Sequence, residues 1–209
     1  MITERIKLSN SGAGTNEVLA LSDGVAASLG LSKKKSFHLR LLAEELLSMV
    51  RAIAGDFSAE FWIEEDNRIC KLNLEAERAA LDYARRKELL SVSTKGENVA
   101  RRGIMEKLRD LIGASLTGME GSYKLQADYG VGMFNYGALG ILDTGMSETL
   151  YAWSMQKYKN ELESRDDENE DEAEARDELE KSIIANIADD VRVGVRKNSF
   201  ELIIEKNFN

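Results

Sequence analysis

Proline is absent from the whole chain, where average usage would place about ten in this length. That removes cis-proline switches and polyproline II ligand motifs from consideration. Cysteine and histidine occur once each, as Cys70 and His38. One cysteine makes no internal disulfide, and the pair supplies too few ligands for the usual structural zinc site. Residues Met1 to Leu8 lack the apolar stretch of a signal peptide, and no run approaches the roughly 18 apolar residues of a membrane span. The expected location is cytoplasmic, with no membrane partner. Nor is there a Walker loop, a Ser-His-Asp set or a Glu-x-x-His pair.

What is present is an ordinary apolar fraction of 43% over 209 residues, enough for one substantial core or two small ones. The formal charge of −9 is local. Between Lys159 and Lys181 stand 12 acidic and 4 basic residues, and the remainder of the chain is close to neutral. This block lacks the spaced Asp-x-Asp-x-Asp-Gly pattern of a calcium loop and reads as a solvated helix or loop. Arg85 to Arg109 is the converse, with 8 basic residues against 3 acidic. It is a surface for phosphate or an acidic partner, or simply a solvated face. Nucleic acid is not expected, because no aromatic platform is interleaved with these cations and the net charge is negative.

Hydropathy patterning sets out the elements. Ile2 to Leu8 reads as a strand. Thr15 is positioned to cap a helix bearing Val18, Leu21, Val25 and Leu29, stopped by Gly30. A second helix, capped by Ser32 or Ser36 and ended by Gly55, precedes a hairpin of Ala59 to Glu64 and Cys70 to Ala76 around Asp66-Asn67. Helices follow over Arg78 to Leu90 and around Ile104 to Leu111. Half of the glycines then lie between Gly113 and Gly145, interleaved with Tyr129, Met133, Phe134 and Tyr136. This stretch suits a flap, a short strand pair or an adaptable partner interface over 129–142. Helical spacing resumes from Ser147 with Leu150, Trp153 and Tyr158, and two closing strands meet at Lys197-Asn198.

The second helix carries two stripes. Leu39, Leu42, Ala43, Leu46, Val50 and Ile53 form a core stripe; His38, Leu41, Glu45, Met49 and Ala52 form another, about 100° around the cylinder. The latter sets a carboxylate in a partly apolar row, either as a tuned group in a pocket or as an edge residue of a helix–sheet contact. Ser91, Ser93 and Thr94 beside Lys95, Gly96, Arg101 and Arg102 form either an anion nest or a plain capped loop.

The element order, together with Leu39-Arg-Leu-Leu-Ala-Glu-Glu-Leu-Leu-Ser-Met-Val50, resembles the GHKL (Bergerat) ATPase family, and within it the small bacterial anti-sigma-factor serine kinases. The resemblance covers about residues 2–112 and 188–206. It implies an α/β two-layer sandwich with a mixed sheet of about five strands and helices on one face. The core would comprise 1–112 and 188–209, with 113–187 inserted as a glycine-aromatic stretch followed by an acidic helical segment. Glu45 matches the family's general base. Met49 stands where the family has a magnesium-binding asparagine, and a thioether is a soft, weak donor for that ion. The adenine-contacting Asp-x-Gly-x-Gly is replaced by Asn73-Leu-Glu-Ala-Glu-Arg78, and the phosphate-wrapping glycine box is reduced to Gly96-Glu-Asn98-Val-Ala-Arg-Arg-Gly103. The implied nucleotide contacts are Glu45, Ser48, Met49, Thr94, Gly96, Asn98 and Gly103, with no metal assigned. The expected function is a degenerate, anti-sigma-type regulator that binds a protein partner, with homodimer pairing left open. The alternative is an ATP- and magnesium-dependent serine/threonine kinase, with Glu45 as base and Ser48 or Glu44 as substitute oxygen ligand.

Overall fold

The computed structural model describes residues 1–53, 57–78, 151–163, 176–177, 179–180, 182–195 and 199–209. Strands β2 (Phe57–Asp66) and β3 (Ile69–Arg78) form the hairpin that alternation predicts. Its two-residue turn holds Asn67 at φ 50° and Arg68 at φ 63°, the left-handed pair that matches the twist of flanking strands. A non-glycine residue is strained there, and Arg68 is fastened on three sides. Its N–H donates to Glu65 Oε1 at 3.0 Å, its guanidinium donates to the Leu29 carbonyl at 2.9 Å, and its own carbonyl accepts from Phe208 N at 2.9 Å.

The other strands are β1 (Ile6–Ser9), β4 (Tyr151–Ser154), β5 (Asp190–Val195) and β6 (Ser199–Asn207). They join one sheet in the order β1-β2-β3-β6-β5-β4. Every pairing is antiparallel. The expected helix-and-sheet class holds, but the sheet has six strands rather than about five and contains no parallel pair among the described residues. Strand β6 runs antiparallel to both of its neighbours, β3 and β5, and β4 adds an edge beyond β5.

Four helices, α1 (Thr15–Ser28), α2 (Lys33–Ile53), α3 (Met155–Glu163) and α4 (Ile183–Ile187), complete the described elements. Helix α1 packs on β1 and β2, α2 on β3 and β6, α3 on β4 and β5, and α4 on α2. The rows Ile63-Leu72-Ile204-Val191 and Phe61-Leu74-Leu202-Val193 run across the sheet in register and are buried together with Leu39, Leu42 and Leu46 in one core. Each such side chain contributes about 1.5–3 kcal/mol on burial. Residues 151–163 and 183–187, placed by the sequence in the insertion, are therefore built into the same sheet and core. Among the described residues no helix is long and apolar enough to cross a membrane.

Two local expectations change. Thr15 does not cap α1; Gly14 occupies that position at φ 81° with no side-chain cap. A Cβ on Gly14 would stand 2.2 Å from the Lys7 carbonyl oxygen, so only glycine lets the helix start against β1. The Thr15 hydroxyl instead accepts from Arg51 at 2.7 Å. Residues 151–154 are strand rather than helix. Trp153, opposite Val193 in the ladder, is buried in the core, a gain available only in extended conformation. Ser154 then ends the strand and starts α3: its Oγ accepts from Lys157 N at 3.3 Å, while Asp190 Oδ1 accepts from Gln156 N at 3.1 Å.

The helix expected from Arg78 begins too early, since Arg78 ends β3. The remainder of that helix, the one around Ile104 to Leu111, the glycine-rich stretch 113–145 and the turn at Lys197-Asn198 lie outside the described residues.

Candidate functional site

Helix α2 forms where the sequence places it because Leu, Ala, Glu, Arg and Met dominate and neither proline nor glycine interrupts them. Ser32 Oγ accepts from Lys35 N at 3.4 Å, while Ser36 lies inside the helix; Gly55 is outside the described residues. The core stripe is as predicted, with Leu39, Leu42, Ala43, Leu46 and Val50 all at 0% exposure.

The two flanks of α2 differ. Helix α1 holds one, through Arg40 bonded to Asp23 and Arg51 bonded to Thr15. On the other side lies α4, whose chain runs on to Asp189, bonded to Lys206 Nζ at 2.7 Å and to Asn207 N at 2.6 Å. Of the second stripe, His38, Leu41 and Glu45 are half-buried. Burial, followed by the Lys34 and Lys206 cations, holds the His38 imidazole below its ordinary pKa of 6.5.

Met49 is not at the mouth of a pocket. It is 0% exposed and belongs to the core. The oxygen ligands suggested in its place do not converge either: Glu44 Oε1 is engaged by Arg40 Nε at 3.2 Å, and Ser48 is exposed. No group of three His, Cys, Asp or Glu side chains that could hold a metal occurs among the described residues. Hard oxygen ligands in octahedral array are what magnesium needs, and α2 does not present them.

The segment that replaces the adenine motif is equally unsuited. Asn73 to Arg78 lies within β3, paired to β2 on one side and, through Glu77, to β6 on the other, so its backbone donors and acceptors are committed to the sheet. Asn73 is 3% exposed, and its amide donates to the Lys71 carbonyl at 3.0 Å. Thr94, Gly96, Asn98 and Gly103, the anion-nest residues Ser91, Ser93, Lys95, Arg101 and Arg102, and the partner segment 129–142 lie outside the described residues. Cys70 is buried, and that burial, aided by Glu65, pushes its thiol up to about 11. It stays protonated and unreactive at neutral pH.

One feature escaped the periodicity argument. Phe37 is 61% exposed, on the side of α2 opposite Leu39, Leu42 and Leu46, and exposed Lys33 and Lys34 precede it. The signal was legible: a phenylalanine falling about 180° from the apolar stripe, one residue beyond a run of three lysines. Compared with family models, curated protein sequences and solved structures, the chain matches none.

Proposed function

We propose that this chain is a cytoplasmic regulatory domain that binds a protein partner, built in an element order resembling the GHKL ATPases and working without conventional ATP hydrolysis. The observation that carries this reading is Met49, wholly enclosed in the core at the position where that family places its magnesium ligand. A soft thioether with no access to solvent neither coordinates the ion nor admits the phosphates it would neutralise. Support also comes from β3, whose Asn73 to Arg78 backbone is occupied by sheet pairing. Among the described residues, half-buried Glu45 has no cluster of acidic, histidine or cysteine side chains beside it that could hold a metal, which supports a structural rather than catalytic carboxylate.

Magnesium-ATP titration followed by thermal unfolding tests this. A ligand at a hundredfold its dissociation constant stabilises by about 2.7 kcal/mol, so no shift in Tm at millimolar nucleotide is the expected outcome. A shift that disappears in Glu45→Ala and survives in Glu163→Ala would overturn the reading in favour of a nucleotide-dependent enzyme.

A further inference from the structure

We propose that the outward surface at the start of α2, formed by Lys33, Lys34 and Phe37 with Leu41 behind them, docks an acidic segment of a partner protein, with Phe37 as the apolar anchor. This rests on the preceding reading only in that the occupant is a protein.

Phe37 at 61% exposure and half-buried Leu41 are four residues apart and so lie one above the other on the solvent side of the helix. Aromatic residues, phenylalanine included, are enriched in protein interfaces, whose rims are polar. The charges that precede Phe37 in the first turn, on exposed Lys33 and Lys34, are positive, while Glu44 and Glu45 lie one turn beyond Leu41. The first turn of α2 contains no acid, so its lysines add to the positive end of the helix dipole instead of offsetting it. Two further cations border the patch but turn inward: Lys35 donates to the Phe208 and Asn209 carbonyls at 2.6 and 3.0 Å, and Lys206 is held by Asp189. His38, the residue after Phe37, is disfavoured as a cation by burial first and then by Lys34 and Lys206. Concentrated positive charge is costly alone and is relieved by carboxylates, which gives the occupant its sign.

The footprint favours a peptide over a lipid surface. Glu44 and Asp23 follow on the same outer surface, with side chains 45% and 52% exposed around Arg40. An anionic bilayer covering Phe37 and Leu41 would press against those carboxylates, whereas an extended segment can end before them.

Fluorescence anisotropy of the full chain with a labelled acidic peptide carrying leucine tests the assignment, with a glutamine-for-glutamate peptide and phosphatidylserine vesicles as further arms. Binding of the acidic peptide alone is expected. Lys33→Glu with Lys34→Glu should weaken it by about tenfold or more and Phe37→Ala by about fivefold to tenfold, with no fall in Tm for the double glutamate variant. Lys157→Glu, an exposed charge on α3, should change it less than about twofold. Absence of peptide binding, equal loss in Lys157→Glu, or capture by vesicles instead of peptide would overturn the proposal. A nucleotide-induced Tm shift would sink the preceding reading without altering these titrations.

Discussion

Phe61 and Trp62 are neighbours in β2, both withdrawn from water at 0% and 6% exposure, yet they face opposite sides of the sheet and are buried by different means. Phe61 lies under the helices in a row with Leu74, Leu202 and Val193. No described helix covers Trp62. The guanidinium of Arg5 sits 4.0 Å from its ring centroid, and its indole N–H donates to Glu64 at 2.9 Å. Arg5 in turn is bonded to Glu60 at 2.9 Å and lies 3.9 Å from Glu75. One face is held by dispersion and apolar burial. The other buries Trp62, Asn73 and Ile203 in one cross-strand row with the Arg5, Glu60 and Glu75 charges beside the ring, and that charged part should respond to salt where the first face does not.

The largest expected effect tests the apolar face. Phe61→Ala should cost about 3–5 kcal/mol in urea unfolding, by the same amount at low and high salt. Trp62→Ala should cost less; an equal loss would make the outer face a second core and erase the distinction drawn above. Met49→Asn, which introduces the amide that the proposed resemblance would place there, should cost about 2–4 kcal/mol because it exchanges packed volume for a buried amide. No magnesium-ATP affinity should accompany it, and calorimetry showing tight nucleotide binding by that variant would contradict the placement of this residue in the core. Arg5→Ala should cost only about 0.5–1 kcal/mol, with the loss shrinking as salt rises.

The smallest effect is a pH dependence. The imidazole of His38 is held below 6.5 in the folded chain, so the unfolded chain takes up the proton first as pH falls. Stability is then full above pH 6.5 and declines below it toward the folded value. Replacement by glutamine should remove this slope. His38 is the single histidine, so its proton resonances report the titration without overlap.

Long periodic elements were legible in the sequence, and short ones were not. The hairpin, the core stripe of α2, the stop at Gly30 and the closing strands followed from alternation, helical spacing and glycine at φ 59°. Four residues of β4 carry no period, and only its ladder to β5 decides between strand and helix. The N-terminus of α1 was misread because a threonine is a good cap in isolation, while the close approach of β1 requires glycine. For the candidate site, spacing correctly set Glu45 and Met49 on one side of α2. It could not say that packing would take Met49 fully inside, since a 100° offset separates core from rim only when the neighbouring helices are known.

The ladder between β3 and β6 pairs Ile69 through Glu77 with Asn207 through Ser199. Among the described residues it is the one strand pairing between the part of the sheet made by residues 6–78 and the part made by residues 151–207. Severed between Arg78 and Tyr151, the polypeptide would yield two fragments with complementary hydrogen-bonding rims, the architecture of a split reporter whose reassembly regenerates one continuous sheet.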